Sequence, residues 1–199
     1  MQLLYNNFFL VRQGAKGVDF TLRYTTEQMV KLAVLSALGL VLMFFVRFPV
    51  IPSAPFLEYE PGDVPALIAA FLYGPVSGLV VTFVIVVVQA FTVSAGSSWI
   101  GAVMHFAATG SMVWVAGTIY KRRRTYRGAL VGLFLGSLTM TALMIPLNLI
   151  FTAMFLNLPR EAVKDIILTA VIPFNIFKTA VNSILTILLY KNVGKLLKQ

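Results

Sequence analysis

Six apolar segments, at roughly 27–46, 63–73, 76–93, 99–120, 128–156 and 163–190, fill most of this 199-residue sequence and leave no room for a soluble domain beside them. Apolar residues make up 59% of the chain and charged ones 12%, with a mean hydropathy of +0.88, far from the balance of a water-soluble globule. A hydrocarbon layer of about 30 Å takes around 20 helical residues to cross. The segment 63–73 falls well short, so loop residues should lengthen it, or it should tilt in a thin region. The expected fold is an all-α membrane protein, a compact bundle of six transmembrane helices with a structured outer loop between the first two.

The net charge of +9 is explained by where the basic residues lie. Arg12, Lys16, Arg23 and Lys31 lie before the first span or at its start, Lys121, Arg122, Arg123, Arg124 and Arg127 follow the fourth, and Lys191, Lys195 and Lys198 close the chain. With six spans these clusters share one side, which the positive-inside bias makes cytoplasmic. Both termini are then cytoplasmic, in a multi-pass protein of the cell (inner) membrane, and no nucleic-acid partner is needed to account for the charge. Glu58, Glu60, Asp63, Glu161 and Asp165 fall on the opposite side. Residues 1–24 read as an N-terminal cytoplasmic arm and 25–199 as the six-helix membrane domain. The run LLYNNFFLV in that arm has neither the preceding positive charge nor the small-residue cleavage site of a signal peptide.

The loop RFPVIPSAPFLEYEPGDVP follows the first span. Pro49, Pro52, Pro55, Pro61 and Pro65 rule out a continuous helix, and Phe48, Phe56, Leu57 and Tyr59 are too apolar for a solvated linker, so the segment should fold back over the bundle. It is either a packed connection or a lid that sets Phe56, Leu57 and Tyr59 against a flat ligand.

In the last apolar stretch Lys178 stands about thirteen residues from both Asp165 and Lys191, or roughly 19 Å along a helix, near the bilayer midplane. A charge at that depth costs about 2.5 to 3.5 kcal/mol and commonly faces a partner, a cavity or a substrate path. Asn175 and Asn182, three before and four after, share its helical face. Lys178 either meets a ligand or pairs with Asp63 or Glu58 from the loop. Gln89, His105, Thr109 and Asn148 are the other intramembrane polar groups usable for a ligand. Side-chain amides offer both donors and acceptors, and an ammonium can donate to a carbonyl, a hydroxyl or a phosphate, a set suited to a neutral ligand of mixed polarity. His105 is either an interhelical hydrogen-bonding group or a ligand contact. Pro173 should bend the helix just before Asn175.

Enzyme chemistry is not expected. The absence of Cys removes disulfides, thiolate metal sites and a cysteine nucleophile, and no G-x-S-x-G elbow or pair of intramembrane carboxylates stands out. No G-x-x-x-x-G-K-[ST] loop is present either, so uphill movement of a solute would draw on another chain or an ion gradient. Small-residue stripes that let helices approach closely occur at Ala33 and Ala37, at Gly74 and Gly78, and at Gly128, Gly132 and Gly136; pattern alone does not separate docking from internal packing.

The stretch FLEYEPGDVPALIAAFLYGPVSG, a glycine-containing connection between the third and fourth spans, and PFNIFK in the last span resemble the riboflavin-specific S-component of energy-coupling factor transporters. The resemblance covers most of residues 27–191. It implies a small six-helix, vitamin-binding membrane subunit that joins a membrane scaffold (T) subunit and two cytoplasmic ATPases, with riboflavin or FMN as the transported ligand and no cofactor. It also implies that Asn175 and Lys178 contact the ring system, with Asn148 on helix five beside them, and that Ala33 and Ala37 dock on the scaffold. The expected ligand set is completed by Phe56, Leu57, Tyr59, Gln89, His105 and Asn182. The alternatives are an S-component for another vitamin, a stand-alone carrier, or a membrane assembly or interaction protein.

Overall fold

The computed structural model describes residues 24–92, 98–157 and 159–197. The LLYNNFFLV arm, together with Arg12, Lys16, Arg23 and Lys198, lies outside the described residues. Helix α1 (Thr26–Phe45) opens on a capping box: the Thr25 hydroxyl accepts from the Gln28 backbone N–H while the Gln28 side chain accepts from the Thr25 N–H. The chain then forms two short antiparallel strands, β1 (Phe48–Pro49) and β2 (Glu58–Tyr59), with Phe48 opposite Tyr59. A 3-10 turn at Pro61–Asp63 leads into α2 (Val64–Tyr73), which stops at Gly74, whose φ of +102° favours a residue without Cβ. Helix α3 (Pro75–Phe91) starts immediately, with Pro75 at a position where no N–H is missed.

Helix α4 (Ser98–Arg122) and helix α5 (Tyr126–Leu156) are separated by a short turn, in which the Thr125 hydroxyl caps α5 by accepting from the Gly128 N–H. Helix α5 ends at Asn157 in the left-handed region. The last helix, α6, begins as Arg160–Ile166, widens into a π-helical turn over Ile167–Val171, and continues as Ile172–Leu196. Pro173 has no N–H to give to the preceding turn, and the helix adjusts immediately before it: the Ile172 N–H reaches back to the Ile167 carbonyl.

Among the described residues, four helices are long and apolar enough to cross a membrane, at Thr26–Phe45, Trp99–Arg122, Tyr126–Leu156 and Glu161–Leu196; Pro61–Tyr73 and Pro75–Phe91 are shorter. The shortness of α2 follows from its position. Every residue from Val64 to Phe71 is buried, and the helix packs against α1, α3, α4 and α6. Surrounded by protein, it has no lipid-facing length to match, as its apolar character on all faces requires. Large exposed side chains such as Val34, Phe83, Phe134, Ile184 and Leu188 instead cover the outside of the bundle, the surface a bilayer would solvate.

Gly78, Gly132 and Gly136 face neighbouring helices inside the bundle, whereas Gly74 has open space around it. A Cβ at Gly132 would come 2.9 Å from the Ala116 carbonyl oxygen, one at Gly136 2.8 Å from that of Met112, and one at Gly78 2.9 Å from that of Ala66, so these glycines set the close approach of α5 to α4 and of α3 to α2. Ala33 and Ala37, by contrast, lie on the exposed face of α1. The loop does fold back. Ala54, Leu57 and Tyr59 form a second apolar cluster with Val163, Ile167, Ala170, Val171 and Phe174, which anchors the hairpin on the start of α6.

Candidate ligand-binding site

Beneath the hairpin lies a cavity of about 430 Å³, within the usual range for small-molecule sites. The loop contributes Arg47, Phe56, Leu57, Glu58 and Glu60, α3 contributes Gln89, and the first turns of α4 contribute Met104, His105 and Ala108. Helix α5 adds Met140, Met144, Asn148, Phe151 and Thr152 from its second half, and α6 adds Phe174, Asn175 and Lys178. On α4, α5 and α6 these positions fall at the middle of the helix or in the half away from Lys121, Arg122, Lys191 and Lys195. Methionine and phenylalanine walls adapt to a flat apolar face, and one part of the lining is polar, where Glu60, Gln89, His105 and Lys178 meet.

That polar side is built around Lys178. Its Nζ stands 3.1 Å from Asp63 Oδ2 and 4.0 Å from Glu60 Oε1. Asp63 Oδ1 is 2.8 Å from His105 Nε2, and Thr109 donates to Asp63 Oδ2 at 3.2 Å. His105 Nδ1 is 2.5 Å from Gln89 Oε1, and the Gln89 amide donates to Glu60 Oε1 at 2.9 Å. Both ring nitrogens of His105 thus face oxygens. The ammonium and the imidazole together stand against two carboxylates in a buried, cross-linked group. Each charge is taken out of water, but its hydrogen bonds and its opposite neighbour offset the cost.

Of the two pairings open to Lys178, the one with Asp63 is formed; Glu58 instead meets Arg47 at the rim of the cavity. The acids Glu60 and Asp63 sit deeper than their place in an outer loop suggested, and both are 4% exposed. The reason is local: Pro61 starts a 3-10 turn at once, so two carboxylates three residues apart are carried inward on one face as the chain enters the buried helix α2. The Glu-Pro-Gly-Asp sequence before an apolar helix was the available signal.

Asn175 follows the π-helical turn and donates from Nδ2 to the Val171 carbonyl at 2.8 Å. Its Oδ1, buried on the cavity wall, has no hydrogen-bond partner among the described residues. Asn148 donates to the Met144 carbonyl and accepts from Thr152. Phe56, Leu57, Gln89, His105, Asn148, Asn175 and Lys178 are therefore brought together around one cavity. Tyr59 and Asn182 are not on its wall: the Tyr59 hydroxyl donates to Asn182 Oδ1 at 3.1 Å, and the Tyr59 ring packs between Phe48 and Phe177. This bond ties β2 to the middle of α6. Not expected from the sequence were Arg47, Glu60 and the α5 residues Met140, Met144, Phe151 and Thr152, which line the cavity beside Asn148 and whose helical spacing marks a single face.

The architecture has known counterparts. A family model described as "ECF transporter, substrate-specific component" matches residues 27–190. The riboflavin transporter RibU of Staphylococcus aureus is 35% identical over 179 residues, which is 87% of this chain and 93% of that protein. The riboflavin transporter FmnP of Bacillus subtilis is 30% identical over 173 residues, 82% of this chain and 90% of that protein. A solved structure described as the S component of a bacterial ECF transporter superposes with a TM-score of 0.70 at 35% identity, spanning 87% of this chain and 98% of that one. The match runs from α1 through α6 and takes in the hairpin, the buried helix α2 and the cavity between them, so this chain belongs to the family of substrate-specific components of ECF transporters.

Proposed function

We propose that the chain captures riboflavin from the outer face of the cell membrane and hands it inward with the help of a membrane scaffold subunit and two cytoplasmic ATPases. The observation that carries this reading is the cavity itself: methionine and phenylalanine walls for a flat ring, and amide, ammonium and carboxylate groups among the lining for its polar edge. Asn148, Asn175 and Lys178 are the residues assigned to the ring edge. Relatives named as riboflavin transporters support the same ligand. Riboflavin is favoured over FMN because Lys178 is already engaged by Asp63, which leaves no unopposed cation deep in the site for a phosphate. The cavity opens at the end away from the basic helix termini, so the positive-inside bias turns it outward and leaves both chain ends in the cytoplasm. The exposed Ala33–Ala37 face of α1 is the surface assigned to the scaffold. Purification from cells grown with riboflavin tests the ligand: the protein should elute yellow, with flavin absorption in step with protein, and a colourless preparation that also takes up no added flavin contradicts the reading.

A further inference from the structure

Glu60 carries a feature that the ion-pair group around it does not use. Its carboxylate is 4% exposed and lies on the cavity wall. Oε1 receives the Gln89 amide at 2.9 Å and lies 4.0 Å from Lys178 Nζ and 3.9 Å from His105 Nδ1, whereas Oε2 is buried with no hydrogen-bond partner among the described residues. A buried carboxylate oxygen without a donor is costly, and an ionised acceptor makes a stronger hydrogen bond than a neutral one. Asn175 Oδ1, on the same wall, is a second such acceptor. Two residues of the lining therefore each hold a buried acceptor oxygen without a donor among the described residues, one of them on a carboxylate.

Resting on the riboflavin reading above, we infer that Glu60 is a specificity-determining ligand contact, whose Oε2 accepts a hydrogen bond from an N–H or O–H of the bound flavin. A donor-bearing edge is held there, and an anionic group placed at the same position is repelled by the carboxylate. A flavin has two kinds of donor, the imide N–H of the ring and the hydroxyls of its side chain, and the chemistry at Oε2 is the same for either.

Glu60→Gln separates this role from packing. The Gln89 amide still needs an acceptor, so the new carboxamide turns its oxygen to that bond and presents –NH2 where Oε2 stood, which replaces an acceptor by a donor. Glu60→Asp keeps the charge but withdraws it by one methylene, and serves as the second variant. Parent and variants are titrated in detergent with riboflavin, with 3-methylriboflavin, which lacks the imide N–H, and with lumiflavin, which lacks the hydroxyls. Both variants should bind riboflavin at least about tenfold more weakly than the parent. For one analogue, the one missing the donor that meets Glu60, parent and variants should bind alike. Unchanged riboflavin affinity in the variants, or an equal loss for all three flavins, overturns the contact and leaves Glu60 a structural member of the group. A parent protein that binds none of the three overturns the riboflavin reading, and this inference with it.

Discussion

At the scale of single residues the site is a balance of buried charges, and its variants should divide by what they leave behind. Asn175→Ala removes one amide from a desolvated wall while its other contact is only to its own helix, so it should weaken flavin binding by about 1 to 3 kcal/mol, roughly five- to 150-fold, with unfolding in detergent little changed. Lys178→Met is a different case, because it strands Asp63 and Glu60 without their ammonium partner. Breaking a buried pair from one side costs about 3 to 5 kcal/mol, so this variant should unfold at a clearly lower temperature, and adding Asp63→Asn should recover much of the loss. Additive effects of the two substitutions would show that the pair is not coupled. Asn175 and Lys178 were legible in the sequence because a polar group in a long apolar run has few reasons to be there. Asp63 was legible only as one of two possible partners for Lys178, and Glu60 was not, since both stand at the end of the outer loop and only the packing of α2 carries them inside.

Between helices the same kind of sequence signal has opposite meanings. The stripe at Gly132 and Gly136 faces the α4 backbone, whereas Ala33 and Ala37 face outward from α1. Gly136→Leu should therefore lower the unfolding temperature sharply, while Ala37→Leu stays within about 0.5 kcal/mol of the parent, as thermal scans of the detergent-solubilised proteins can check. Equal destabilisation by both would place the alanine face inside the fold. Hydrophobic periodicity located the spans but could not say which surfaces meet, because in lipid both buried and exposed faces are apolar. For the same reason α2 read as a truncated span when it is a central helix enclosed by protein. The hairpin is anchored through Ala54 and Leu57 and also contributes Phe56, Leu57 and Glu58 to the cavity lining. Amide exchange over 56–59 should slow when flavin saturates the site; identical exchange with and without ligand would leave the hairpin a connector only.

On the scale of the whole molecule, the cavity and the Ala33–Ala37 face occupy different places: the cavity lies between the hairpin and the helices, and the alanine face looks outward from α1. Ala33→Leu should abolish ATP-driven uptake by a reconstituted complex while leaving the flavin affinity of the isolated subunit near that of the parent, because a bulky side chain prevents close helix approach without touching the cavity. Transport at the parent rate would move the docking surface elsewhere. The central claim is that this chain by itself holds a flavin. Equilibrium titration of the purified parent protein with riboflavin, followed by flavin fluorescence, tests it most directly. The account predicts saturable quenching at one flavin per chain, as a ring against aromatic walls and shielded from water should give; fluorescence that stays proportional to added riboflavin throughout the titration would contradict it.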